Sequence, residues 1–163
     1  MVNVTLNTSV NSGGGGITTY DVTLDNPAGG VVIIDFQPVS IPDKLEIMQV
    51  VGSTWVKKAT SSKSATGNYG PFDNNYGTSP SNVLPTQTEA GNTAQFVGGS
   101  MPTRMTEFTA DTGLSSTAYP LTTDAQQRVW WKYTSADYNT STSVKIRITG
   151  PSETLWYIRR VCV

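Results

Sequence analysis

The acidic side chains are the groups in this sequence that could take part in catalysis. The 163 residues include 12 aspartates and glutamates and one cysteine but no histidine. The lack of histidine excludes Ser-His-Asp and Cys-His sites and histidine general bases. Two carboxyl groups flanking a glycosidic bond could still hydrolyse it, but the acidic residues follow no recognisable spacing, and most fall in turns or on the polar face of a predicted strand. We therefore predict no catalytic residues and no enzymatic activity.

Metal, phosphate and thiol chemistry receives little support from the spacing of the polar residues. Asp73 to Gly77 (DNNYG) has oxygen ligands near a glycine, which is compatible with Ca²⁺, but it lacks the Asp-x-Asp-x-Asp spacing and distal Glu of a helix–loop–helix site, so a turn is preferred. The glycines at 13–16 lead into a strand-like sequence, which argues against a phosphate loop. Cys162 is the single cysteine and is predicted to be a small buried residue. We predict no metal site and no cofactor.

Two consecutive tryptophans suggest a contact surface. Trp130 and Trp131 lie in a predicted strand, so their side chains point to opposite faces. Trp131 shares its face with Tyr133 and is predicted to point into the core. Trp130 shares its face with Arg128 and Lys132 and is predicted to be exposed, where a tryptophan often marks a binding surface.

A second candidate contact surface is the stretch 59–93, which is rich in Ser, Thr, Asn, Gly and Pro and has isolated aromatic residues at Tyr69, Phe72 and Tyr76. A loop this long inside a compact domain is usually functional or disordered. Each aromatic ring could bury about 150–250 Å² against a partner. We predict partner contact through these three residues together with Trp130.

The elements that would carry these residues are strands. Apolar and polar residues alternate over short runs, and one run, at 31–36, is apolar almost throughout and predicts a strand buried on both faces. Regular short strands between turn signals predict an all-β protein, a single antiparallel β-sandwich over residues 1–163, with 59–93 as a long irregular loop and 1–16 as an extended arm. The predicted strands lie near residues 2–6, 17–25, 31–36, 44–48, 55–56, 95–97, 104–109, 129–133 and 143–162.

The end of the sequence carries the clearest strand signal. In SVKIRITGPSETLWYIRRVC (143–162), Val144, Ile146 and Ile148 alternate with polar residues, and Gly150-Pro151 precedes a second aromatic and β-branched run. This pattern predicts a strand–turn–strand hairpin. No helix is predicted, and the most that residues 122–127 would form is one helical turn.

Three segments resemble a known type of domain: VVIIDFQPVSIPDKLEI (31–47), VWWKYTS (129–135) and the 143–162 segment. They are similar to a jelly-roll-type β-sandwich found in phage virion proteins, such as capsid decoration and tail proteins, and in surface-binding modules appended to other proteins. The resemblance implies a jelly-roll-like sandwich and a non-enzymatic structural component of a phage virion, most simply a capsid decoration or auxiliary protein. The alternative that it implies is a carbohydrate-binding or host-adhesion module of a tail or surface protein.

The net charge and the first ten residues limit the classes of partner and the location that we expect. The formal net charge of −1 provides no field for nucleic acid phosphates, and no segment approaches the ~20 apolar residues of a membrane span. MVNVTLNTSV has neither a basic n-region nor an apolar h-region. We expect contacts with other virion proteins, with further copies of the chain or with glycans, not with nucleic acid or membrane. We also expect synthesis in the host cytoplasm without a signal peptide and a final location in the virion.

Overall fold

A computed structural model describes residues 3–4, 8–12, 16–37, 44–60, 88–90, 105–125, 127–150 and 154–163. These residues form ten strands and two helices. The strands are β1 (Asn3–Val4), β2 (Thr8–Ser12), β3 (Gly16–Thr23), β4 (Gly29–Gln37), β5 (Lys44–Val51), β6 (Thr54–Thr60), β7 (Thr88–Ala90), β8 (Gln127–Thr134), β9 (Ser143–Gly150) and β10 (Thr154–Cys162). The helices are α1 (Met105–Thr112) and α2 (Ser135–Thr140).

The strands form two five-stranded sheets. Sheet A has the order β1-β10-β4-β8, and β2 pairs with the same edge of β10 as β1 does. Sheet B has the order β3-β9-β5-β6-β7, in which the short β6–β7 pair is parallel and the other pairs are antiparallel. Apolar side chains from both sheets belong to one core cluster, so the sheets pack face to face. The predicted all-β sandwich is confirmed.

Strand β4 is buried on both faces, as its apolar run predicted. Residues 31–36 are each at most 5% exposed. The even-numbered residues of this run point toward sheet B, whereas Asp35, on the other face, accepts a hydrogen bond from the backbone of Thr122. We call residues 105–125, which lie over this outer face of sheet A, the covering segment.

The covering segment begins with a helix where the sequence predicted a strand. The predicted strand at 104–109 is wrong over its described part, because α1 occupies Met105–Thr112 and turns only Phe108 fully into the protein. Residues 122–125 form a turn closed by a hydrogen bond from the Ala125 N–H to the Thr122 carbonyl, at 2.9 Å. The next described residue, Gln127, already begins β8.

The predicted C-terminal hairpin is also wrong, although both of its strands exist. β9 pairs with β3 and β5 in sheet B, whereas β10 pairs with β1, β2 and β4 in sheet A. The chain therefore passes from sheet B to sheet A between Gly150 and Thr154. Both strands have apolar inward faces and polar outward ones, a pattern that a hairpin and a crossing between layers produce equally well.

The segment predicted as an extended N-terminal arm takes part in sheet A over its described residues. β1 pairs with residues 161–162 of β10, and β2 pairs with residues 154–158. Residue 16 then begins β3 in the other sheet. The described parts of this segment therefore belong to the sandwich.

The turn between β3 and β4 shows a local requirement for glycine. The Asn26 carbonyl accepts from the Gly29 N–H at 3.0 Å, and the Asn26 side chain accepts from the Ala28 N–H at 3.0 Å. Gly29 has a φ of +101°, and a Cβ there would lie 2.8 Å from the Tyr133 carbonyl oxygen. The Asn-Pro-Ala-Gly-Gly turn predicted from the sequence is therefore formed, with glycine where a side chain would meet the neighbouring strand.

Candidate functional site

Trp130 lies in the interior, which corrects the prediction that it is exposed. Its side chain is 4% exposed, and Trp131 on the opposite face is 2% exposed. Strand alternation correctly separates the two rings, but the covering segment hides the face on which Trp130 lies. Among the other predicted contact residues, Tyr69, Phe72 and Tyr76 lie outside the described residues.

Helix α1 holds Trp130 from above. The Phe108 ring packs edge-on against the Trp130 ring, with centroids 5.5 Å apart. The indole N–H donates to Asp111 Oδ2 at 2.6 Å, and the Lys132 ammonium donates to the Asp111 carbonyl at 3.2 Å. The charged residues flanking Trp130 in the sequence thus contribute to its burial instead of marking a solvated face.

Asp35 and Arg128 form a buried ion pair beneath the covering segment. They are direct neighbours across β4 and β8, and both side chains are 0% exposed. Arg128 Nε donates to Asp35 Oδ1 at 2.7 Å and Nη2 donates to Oδ2 at 3.0 Å. This bidentate arrangement is the geometry in which arginine binds a carboxylate most strongly.

The same pair fixes the irregular part of the covering segment. Arg128 donates to the carbonyls of Tyr119 at 2.6 Å and Pro120 at 3.0 Å. Asp35 accepts from the backbone N–H of Thr122 at 3.0 Å and from its hydroxyl at 2.7 Å. Because the two charged groups bind each other and also the backbone above them, the pair acts as a clamp on residues 119–122.

Sheet B has a corresponding ion pair on its outer face. Glu46 and Arg147 are direct neighbours across β5 and β9, and their side chains are 0% exposed. Arg147 donates to Glu46 Oε1 from Nε at 3.1 Å and from Nη2 at 2.9 Å. The Lys57 ammonium lies 2.7 Å from Glu46 Oε2. Each sheet therefore has a buried carboxylate–arginine pair on the side away from the core, a feature that the sequence analysis missed.

The outward surface of the covering segment is the candidate contact site. Its exposed residues are mostly small and polar, and a surface cleft of about 440 Å³ is lined by Met105, Thr106, Thr109, Ala110 and Ser116. Among the described residues, the lining contains hydroxyl and apolar groups and no charged side chain. The described part of the cleft is therefore an uncharged surface.

The outer face of sheet B presents a second, smaller feature around Trp55. This side chain is partly exposed, and the Lys145 ammonium lies over its ring, 5.9 Å from the centroid. Lys145 also pairs with Asp21, whose side chain is 77% exposed. An aromatic face beside charged groups is a feature of ligand-binding surfaces.

Asp137 joins helix α2 to sheet B. Thr134 at the N-cap donates to Asp137 Oδ2 from its backbone N–H at 2.8 Å and from its hydroxyl at 2.9 Å, and accepts from the Asp137 N–H at 3.2 Å. Lys58 Nζ donates to Asp137 Oδ1 at 3.1 Å. Partial burial acts to raise the pKa of Asp137, but the hydrogen bonds from Thr134 and Lys58 outweigh it, and the pKa is lowered.

Asp137→Asn is expected to be less stable than the wild type at neutral pH, by an amount that shrinks in acid. Because the folded state lowers the pKa of Asp137, its contribution is complete above the unfolded value of about 4 and is lost as the pH falls through the folded value. Urea denaturation from about pH 7 to about pH 2.5 measures the difference. Lys58→Met, which leaves the cap intact, should remove only part of the pH dependence, and a difference constant over the whole range would contradict the prediction.

The other titratable groups give no sign of a reactive centre in the described part of the chain. Within it, no group of three His, Cys, Asp or Glu residues is placed to hold a metal ion. Cys162 is buried as predicted, and burial raises the pKa of its thiol, which keeps it in the less nucleophilic protonated form. No helix among the described residues has the length and apolar character needed to cross a membrane.

Comparison with known proteins adds no relative to this picture. No family model matches the chain, and no curated protein or solved structure matches it. The most informative contacts of this chain are the clamp beneath the covering segment and the outer faces of the two sheets.

Proposed function

We propose that this chain is a non-enzymatic structural subunit of a phage-like virion, a capsid decoration or auxiliary protein that works through surface contacts. The covering segment would supply one contact surface, and the aromatic residues of the 59–93 stretch would supply another. The resemblance of residues 31–47, 129–135 and 143–162 to virion sandwiches supports the class of protein.

The observation that carries the proposal is the Asp35–Arg128 clamp. It fixes the backbone of an irregular, largely exposed segment from below, through four hydrogen bonds to residues 119–122. A surface that is rigid before binding loses less conformational entropy when a partner docks. The Asp35 carboxylate and the Arg128 guanidinium are therefore used to fix the conformation of a surface segment.

Symmetry would make weak contacts sufficient. A virion presents many equivalent sites, so modest affinity at one site becomes stable occupancy when contacts are repeated. The uncharged lining of the cleft beside α1 suits such contacts, because the centres of protein interfaces are depleted of charged residues.

Quantitative mass spectrometry of particles purified from the source of this sequence tests the proposal. We expect the chain to sediment with the particles at a fixed ratio to the major capsid protein, and to rebind saturably when added to particles that lack it. Absence from the particles, or a ratio that falls to zero with further washing, would overturn the proposal.

A matched pair of variants tests which surface makes the contact. Ala110 in α1 and Ala136 in α2 are both exposed alanines in helices, so Ala110→Arg and Ala136→Arg make the same chemical change on different surfaces. Ala110→Arg is expected to lower particle occupancy at least about tenfold by placing a charge in the contact, and Ala136→Arg should not change it. Equal occupancy of the two variants would exclude the covering segment as the contact.

Glycan binding is the second candidate, and the partly exposed Trp55 favours it. An indole face can stack on a sugar ring, and Asp21 and Lys145 next to it could bind hydroxyls. Lys145 lies over the ring and would have to move aside first, which places this candidate second. A glycan array with wild type and Trp55→Ala tests it, and binding that the variant retains would exclude this site. Trp130→Ala cannot serve here, because Trp130 is buried.

A further inference from the structure

Strand β3 forms one edge of sheet B. It pairs with β9 over all eight residues, from Gly16 opposite Gly150 to Thr23 opposite Ser143, without a register shift. No other strand in the described part of the chain pairs with it. Natural proteins usually block such an edge with proline, a bulge or several charges, but β3 (GITTYDVT) has no proline, no bulge and one charged residue.

The residues that present backbone groups at this edge can be identified. The Leu24 N–H donates to the Thr142 carbonyl at 2.9 Å, and residues 24 and 142 continue the β3–β9 register. Because hydrogen-bonded positions alternate along an antiparallel ladder, the even-numbered residues of β3 bond to β9. The N–H and C=O groups of residues 17, 19, 21 and 23 therefore point away from the sheet.

Exposure along β3 agrees with an open edge. Thr19, Asp21 and Thr23, which have outward-pointing backbone groups, are exposed. Thr18, Tyr20 and Val22, on the side that faces sheet A, remain partly exposed, and the Tyr20 ring packs edge-on against Trp156 of sheet A at 6.2 Å. A strand added beside β3 would cover the remaining exposed apolar surface of Tyr20 and Val22.

We propose that two copies of this chain pair through β3, antiparallel, about a two-fold axis at Tyr20. In this register residues 17, 19, 21 and 23 of one copy bond to residues 23, 21, 19 and 17 of the other, so every outward-pointing backbone group of residues 17–23 has a partner. Sheet B of one copy then joins sheet B of the other in one continuous sheet, and the interface is the same patch on both copies.

The charge on β3 selects this register. With the axis at Tyr20, Asp21 stands opposite Thr19 of the second copy. A shift that moves the axis to residue 21 would place the two Asp21 carboxylates opposite each other, and like charges at directly opposite positions are destabilising. If the two-fold axis lay at residue 19, the backbone groups of residue 23 would have no partner within β3 of the other copy. The axis at Tyr20 uses the most backbone groups without a charge conflict.

Sedimentation of the purified full chain with charge variants at residue 19 tests the pairing. Thr19→Asp places a carboxylate opposite Asp21 twice in the dimer and should weaken association by about tenfold or more. Thr19→Lys places an ammonium there and should strengthen it. Thr117→Asp, the same change at an exposed threonine of the covering segment, is the control and should have no effect. A monomeric wild type at high concentration, or equal effects of Thr19→Asp and Thr19→Lys, would overturn the proposal.

Cross-linking tests the register independently. Residues 19 and 21 of the two copies form hydrogen-bonded pairs with Cα atoms about 5.5 Å apart, which a disulfide can bridge. The double variant Thr19→Cys/Asp21→Cys should give a disulfide-linked dimer under mild oxidation, and each single variant should not. Linking by a single variant as efficient as that by the double variant would overturn the assigned register.

This inference deepens the proposed function, because a particle subunit needs contacts with its neighbours, and its failure is distinguishable from failure of that function. Sedimentation uses the isolated chain and reports only the β3 edge. The particle-occupancy experiment compares wild type with Ala110→Arg and reports on the covering segment. A chain that rebinds particles but remains monomeric would overturn the β3 pairing alone.

Discussion

Arg128→Met is expected to lower the free energy of unfolding by about 3–5 kcal/mol, the range found when one partner of a buried ion pair is removed. The variant leaves the Asp35 carboxylate at 0% exposure without its bidentate partner. Arg160, whose Nε lies 3.7 Å from Asp35 Oδ2, is too distant to replace the lost hydrogen bonds. The Tyr119 carbonyl also loses its donor, whereas the Pro120 carbonyl keeps a hydrogen bond from Arg160 Nη1 at 3.0 Å. We therefore expect loosening of the covering segment around residue 119 together with the loss of stability.

Urea denaturation at neutral pH, followed by far-UV circular dichroism, measures this effect. Asp35→Leu/Arg128→Met should be less destabilised than the single variant, because it leaves no uncompensated charge in the interior. Arg159→Met is the matched control, since Arg159 is only partly buried and donates to Gln37 Oε1 at 3.0 Å, and it should cost about 1 kcal/mol. If Arg128→Met lost less stability than Arg159→Met, the result would contradict the clamp.

Trp130→Ala is expected to cost about 3–5 kcal/mol, as large-to-small changes at buried aromatic residues do. The variant leaves a cavity beneath α1, removes the edge-on contact with Phe108 and leaves Asp111 without the indole donor. Trp130→Phe should recover most of the stability, because an aromatic ring still packs on Phe108. The remaining loss comes from the missing indole hydrogen bond and from the smaller volume of the phenyl ring.

Trp55→Ala provides the comparison for Trp130→Ala. The Trp55 side chain is partly exposed, so its removal opens no closed cavity and should cost clearly less. Thermal unfolding of the two variants at one protein concentration measures the difference. An equal loss of stability would mean that Trp130 is not enclosed as described.

Local patterns predicted β3, β4, β5, β8, β9 and β10 because each of these strands shows its buried face in its own residues, whereas the short strands β2 and β7 were not predicted. Val144, Ile146 and Ile148 are all at most 1% exposed, as their alternation implied. The continuous run of β4 predicted burial on both faces. Helix α1 was missed because a single buried residue, Phe108, cannot establish a helical period.

The pairing of the strands and the candidate site were harder to predict, because both depend on residues far apart in the sequence. Asp35 and Arg128 are separated by 93 positions, and nothing near either residue identifies the other. The signal that was available is a single aspartate between Ile34 and Phe36 in a buried run, since a buried carboxylate requires a partner. The exposed position predicted for Trp130 was wrong for the same reason, because alternation within a strand does not show what covers its outer face.

The placement of β9 and β10 has a consequence for how the chain is made. Each lies in the interior of its sheet, β9 between β3 and β5 and β10 between β4 and the β1 and β2 strands. Neither layer can therefore close on the ribosome until residues 143–162 have emerged. Until then, β3, β4 and β5 lack the central strands on which they assemble, and the nascent polypeptide exposes unpaired edges of the kind that chaperones bind. Folding of this sandwich must therefore wait for the segment 143–162.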